Sequence, residues 1–215
     1  HAVPARRSSG LGLAEAQNIL GTYYVLGQGV EQDDNQAVHW WRLAAEQGFS
    51  AAQAFLGCAY SDGEGVQQDD NQAVHWWRLA AEQGFSAAQA FLGCAYSDGE
   101  GVQQDDEQAL HWLHLGAEQG DPSAQNMLGS IYAAGQGVEQ NHEQALHWYR
   151  LAAEQGDAHA QCHVGIAYGN GNIVEQDDMQ ASYWFLLAAE QGEASAQATV
   201  GNAYFHGWGV ERSYE

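Results

Sequence analysis

Five successive segments of 36 residues, 15–50, 51–86, 87–122, 123–158 and 159–194, repeat one pattern in phase, and a shortened sixth runs from 195 to 215. A period of this length, in units too small to bury their own apolar faces, points to an array in which each unit packs on its neighbours. Residues 32–70 are identical to residues 68–106, so two adjacent units carry the same surface. Residues 1–14 stand outside the period and read as a tail left by processing or cloning. The sixth unit stops in the loop after Val210, without a second helix, and the chain reads as a fragment of a longer array.

Each unit contains two helical patterns separated by glycine. In 51–86, Ala52, Leu56 and Tyr60 fall at i, i+4 and i+8 and mark the buried face of a first helix. Gly63 and Gly65 stop it. The second helix opens at Asp69, followed three residues on by Gln72, and the spacing recurs as Asp33/Gln36, Asp105/Gln108, Asn141/Gln144 and Asp177/Gln180. An acceptor at that position satisfies backbone N–H groups that have no partner inside the helix. Ala73, Trp76, Trp77, Ala80 and Ala81 form its apolar stripe, and Gly84 lies just past its end. No alternating strand pattern occurs. The expected fold is all-α: a right-handed solenoid of antiparallel helix pairs.

These residues resemble a known family. Ala52, Leu56, Gly57, Tyr60, Gly63, Gly65, Val66, Asp69, Ala73, Trp76, Ala80, Ala81, Glu82 and Gly84 match the Sel-one-like repeat, a branch of the tetratricopeptide-like superfamily, and the match covers residues 15–215. The resemblance implies a right-handed α-superhelix that acts as a non-enzymatic adaptor in protein complexes. Its bacterial members are often secreted or periplasmic and concerned with host contact or envelope assembly. A cysteine-rich branch, for which penicillin binding and weak hydrolysis have been proposed, pairs cysteines within each unit. Here Cys58, Cys94 and Cys162 are single, too far apart along the array to meet the roughly 7 Å Cα limit of a disulfide.

Charge narrows the chemistry. Six basic residues face 28 acidic ones, for a net charge of −22, and all six are arginine. The missing lysine removes a Walker phosphate site, a Schiff base and the Ser-x-x-Lys nucleophile of penicillin-recognising enzymes. A surface this acidic repels nucleic acid and favours a neutral or basic protein or peptide partner. No stretch reaches the roughly 18 consecutive apolar residues of a membrane span, and nothing in the pattern implies a cofactor.

Several repeated residues invite sharper readings. Trp40, Trp76, Trp112, Trp148 and Trp184 form a ladder that lies on the alanine stripe of the second helix and reads as core. Trp208 takes the place held elsewhere by Gln28, Glu64, Glu100, Gln136 and Asn172, a loop position where it is exposed or covers the chain end. The pairs Asp33/Asp34, Asp69/Asp70, Asp105/Asp106 and Asp177/Asp178 lack the ligand spacing of a calcium loop and read as caps. His142, Glu143 and His147 miss the zinc-protease spacing by one residue. His39, His75, His111 and His147, followed by Arg42, Arg78, His114 and Arg150, read as a solvated outer face. His159, Cys162 and His163, at i, i+3 and i+4, are the weak metal candidate, with no fourth ligand in the neighbouring units.

With Ala, Leu, Gly and Tyr committed to the core, the opposite side of each first helix is left for the concave surface. Its positions are the first, fourth, fifth, eighth and twelfth of each unit. The candidate binding residues there are Asn18, Ile19, Phe55, Cys58, Asp62, Phe91, Cys94, Asp98, Asn126, Met127 and His163. Phe55, Phe91 and Met127 are expected to anchor a peptide, with Asn18 and Asn126 bonding its backbone.

Overall fold

The computed structural model describes residues 5–206, with side chains from Gly12 to Asn202. Among these residues every regular element is an α-helix: α1 (Ala5–Leu26), α2 (Asp34–Glu46), α3 (Ser50–Asp62), α4 (Asp70–Glu82), α5 (Ser86–Asp98), α6 (Asp106–Glu118), α7 (Pro122–Ala134), α8 (His142–Glu154), α9 (Ala158–Asn170), α10 (Asp178–Glu190) and α11 (Ala194–His206). The fold class is the α-solenoid expected from the period. α1 begins inside the stretch 1–14 read as a tail, and Ala14 is part of the core. Trp208, Val210 and the end of the sixth unit lie outside the described residues.

The chain divides into two compact units, His1–Gly116 and Ala117–Glu215. In the first, the side chains of Asp33, Asp69 and Asp105 accept from the backbone N–H of Gln36, Gln72 and Gln108 at 3.0 to 3.1 Å. α3 and α5 end at Gly63 and Gly99 in the left-handed conformation, φ +73° and +75°, where glycine carries no Cβ penalty. The core of one helix pair joins Ala37, Val38, Trp41, Ala44 and Ala45 of α2 to Ala52, Leu56 and Ala59 of α3. It recurs one period later around Ala73, Val74, Trp77, Ala80 and Ala81. Gly57 lets α3 and α4 approach: a Cβ there would lie 2.4 Å from Trp77 Cδ1 and Nε1.

The second unit follows the same plan with different caps. Asp121 and Asp157 accept from the N–H groups of Ala124 and Ala160, a role left unfilled by Phe49 and Phe85 at the same place in the first unit. Ala145, Leu146, Tyr149, Ala152 and Ala153 of α8 pack on Ala160, Val164 and Ala167 of α9.

Two polar devices tie successive helix pairs together. The buried Gln53 donates to Ala45 O at 3.1 Å, and its carbonyl accepts from Gln83 Nε2 at 2.7 Å. Gln161 does the same toward Ala153 O and Gln191 in the second unit. The guanidinium groups of Arg42, Arg78 and Arg150 donate to the phenol oxygens of Tyr60, Tyr96 and Tyr168 at 3.0, 2.9 and 3.1 Å. These arginines are half-buried connectors, not members of a solvated face. The histidines three residues before them, His39, His75 and His147, are exposed as expected. The tryptophan ladder divides too: Trp40, Trp76, Trp112, Trp148 and Trp184 are half-buried, while full burial goes to the following position at Trp41, Trp77, Leu113 and Tyr149. A helix turns about 100° per residue, and that step carries the second ring from the rim of the stripe to its centre.

Candidate functional groove

In α3, α5 and α9 the residue at the fifth position of the repeat meets the buried aromatic of the preceding second helix. Phe55 stacks on Trp41, with ring centroids 5.2 Å apart and planes at 28°, and Phe91 lies on Trp77 at 5.3 Å and 30°. In the second unit His163 stacks on Tyr149 at 4.3 Å and 17°. The partner ring is locked from behind, because Trp41, Trp77 and Tyr149 each press on the backbone at Gly21, Gly57 and Gly129. Such offset ring pairs add roughly 0.5 to 1.5 kcal/mol to plain area burial.

The expected groove residues fall into three groups. Ile19, Phe55, Asp62, Asp98 and His163 are exposed, with Phe55 at 38%. Cys58, Phe91, Cys94 and Met127 are half-buried beside them. The fourth position turns inward: Ala54, Ala90 and Cys162 are buried, and the carboxamide oxygens of Asn18 and Asn126 are enclosed without a hydrogen-bond partner. Around Phe55 the chain leaves a small pocket of about 70 Å³, walled by Val25, Trp41 and Cys58 and rimmed by Asp34, Asp62 and Glu64.

Burial pushes the Cys58 thiol above its ordinary range, and the Asp62 carboxylate adds to the rise. Burial does the same to Cys162, whose Sγ lies 3.8 Å from Ser195 Oγ. Both thiols are therefore poor nucleophiles at neutral pH. His163 is held below the usual histidine range by desolvation against its neighbours and then by the like charge of His159, with Asp157 opposing. The weak metal candidate is not assembled. His159 Nδ1 turns to Glu193 at 3.4 Å, Cys162 is buried under α11, and His163 lies flat on Tyr149. Among the described residues no three His, Cys, Asp or Glu side chains converge as ligands.

A family model described as Sel1 repeat matches residues 14–49, 50–85, 86–121, 122–157, 158–193 and 194–215. The chain belongs to the Sel1 repeat family. Among solved structures it is similar to c5321, a protective antigen present in uropathogenic Escherichia coli strains and displaying an SLR fold. The identity is 38% and the TM-score 0.81, over 97% of this chain and 45% of that one. The chain thus spans less than half the length of the E. coli antigen. A Sel1 repeat protein from Oxalobacter formigenes is 35% identical with a TM-score of 0.87, covering 94% of this chain and 82% of its own. The immunity protein Pa5087 from Pseudomonas aeruginosa shares the fold at 22% identity and a TM-score of 0.61, over 85% and 67%. None of the curated proteins compared matches the chain.

The second-helix half of the groove, Trp41, Trp77 and Tyr149, lies outside the expected groove residues, all of which belong to first helices. Its signal is present in the chain: the residue after each recurring tryptophan is large and apolar in every full repeat, as Trp41, Trp77, Leu113, Tyr149 and Phe185. No helix among the described residues is long and apolar enough to cross a membrane.

Proposed function

We propose that this Sel1 array is a non-enzymatic adaptor that holds a protein or peptide segment along the face formed by its first helices. The observation that carries the reading is the half-open ring pair. Phe55 keeps 38% of its surface in solvent while its other side is fixed on Trp41, a rigid apolar anchor awaiting a cover. The carboxylates of Asp34, Asp62 and Glu64 around it favour a basic or neutral segment. A secreted or periplasmic setting goes with this reading through the family resemblance alone.

The test is affinity capture from the source organism, comparing the intact chain with a Phe55→Ala, Phe91→Ala, Met127→Ala variant shown by circular dichroism to be folded. A partner retained by the first and lost by the second is the expected outcome. Retention by both, or by neither, overturns the assignment of the groove. Covalent labelling by a fluorescent penicillin would replace the adaptor reading with that of a penicillin-binding protein.

A further inference from the structure

The second unit holds a cavity of about 300 Å³, lined by Leu146, Tyr149, His163, Ile166 and Ile173 among others. Its counterpart three periods earlier is the pocket of about 70 Å³ at Phe55. Beside Val25 to Ala133 and Cys58 to Ile166, two sets of substitutions change its rings and its charge. Trp41 and Phe55 become Tyr149 and His163, which removes ring volume from both walls. At the rim, Asp34, Asp62 and Glu64 become His142, Asn170 and Asn172, which removes every lining carboxylate.

We propose that this cavity seats one uncharged aromatic side chain, the phenol or indole of a tyrosine or tryptophan in the bound segment. The proposal rests on the adaptor reading above and deepens it. Size supports a single ring, since about 300 Å³ is the lower end of ligand-sized pockets. Charge selects against the alternatives. A cation finds none of the carboxylates it would meet at Asp34, Asp62 and Glu64, and an anion is repelled by a chain of net charge −22. The walls suit a ring: Ile173, half-buried, and Ile166, 46% exposed, provide apolar surface to be covered over the buried Leu146, and the His163 imidazole provides a face. His142, Asn170 and Asn172 offer hydrogen-bond partners for a phenol O–H or an indole N–H. The cavity is also held open, because Tyr149 Oη bonds Ser130 Oγ at 3.1 Å and cannot swing across it.

The test is a methyl NMR titration of the full chain carrying labelled isoleucine, with N-acetyl-tryptophanamide, N-acetyl-tyrosinamide and N-acetyl-argininamide as separate probes. Saturable shifts of Ile166 and Ile173 with the two aromatic probes are expected, at least tenfold weaker with the arginine probe, and absent from Ile19 in the first unit. Tyr149→Trp with His163→Phe installs the ring pair that this chain already accommodates at Trp41 and Phe55, and should abolish the shifts. The proposal is overturned if the wild-type methyls do not shift saturably, if the arginine probe binds as well, or if the double variant binds undiminished. Capture lost with the Phe55/Phe91/Met127 variant while Ile166 and Ile173 stay silent would remove the cavity reading and leave the adaptor reading intact. Aromatic shifts without any captured partner would do the reverse.

Discussion

Replacing Gly57 by alanine sets two effects of known sign against each other. Gly57 lies in the interior of α3, where alanine is favoured over glycine by about 1 kcal/mol on helix propensity alone. The new Cβ, however, would stand 2.4 Å from two atoms of the Trp77 indole and 3.0 Å from a third, where carbon atoms prefer about 3.5 to 4.0 Å. The ring would have to retreat by more than about 1 Å, and Trp77 is nine-tenths buried with Phe91 stacked on its other side. Overpacking of this kind costs about 1 to 3 kcal/mol, so the packing effect wins and Gly57→Ala destabilises. Gly12→Ala is the matched control: it is also helical, has no atom within 4 Å of a built Cβ, and should stabilise by up to about 1 kcal/mol. Urea unfolding followed by far-ultraviolet circular dichroism measures both. Two midpoints that move in opposite directions are expected; a Gly57→Ala protein as stable as the parent would refute the claim that the glycine is there for helix approach.

Gln53→Leu keeps the volume and removes two bonds, to Ala45 O, which still accepts from Gly48 N–H at 2.9 Å, and from Gln83; at about 0.5 to 1.5 kcal/mol for each lost bond, a loss of about 1 to 3 kcal/mol in urea unfolding is expected. Arg78→Ala and Tyr96→Phe, combined in a double-mutant cycle, should show a coupling of about 0.5 to 1.5 kcal/mol for the 2.9 Å bond between helix pairs, and additivity would show that the contact is idle. The folded His163 binds its proton less readily than the unfolded residue, whose pKa is about 6.5. Stability therefore rises with pH across the window below about 6.5 and is lost as the pH falls through it. Tyr149 and His142 face the imidazole from α8, and His159 and Asp157 act on it from its own side. The melting temperature of His163→Phe should lose this part of the acid dependence; an unchanged slope between pH 5 and pH 7, scanned at roughly one-unit steps around the free histidine value, would assign it to other groups.

Much of the architecture was legible because it is made of short-range bonds. The Asp-to-Gln caps join residues three apart, and Gly63 and Gly99 stop α3 and α5 through their own backbone freedom. A period of 36 residues then repeats these local decisions until the fold class is settled. What the sequence left open depends on distances between segments. The glutamines recur visibly, yet only packing shows Gln53 reaching back to Ala45 and forward to Gln83. Arg42 and Arg78 read as surface charge until Tyr60 and Tyr96 are found against them. The groove is decided in the same way. Asn18 and Asn126 satisfy the helical spacing of the expected face, but their oxygens are turned into the stack, because the fourth position points between helices. The wider cavity beside His163 needs changes on two different helices, Tyr149 and His163, to coincide in space, and helix periodicity on one strip of chain cannot register a volume shared by two.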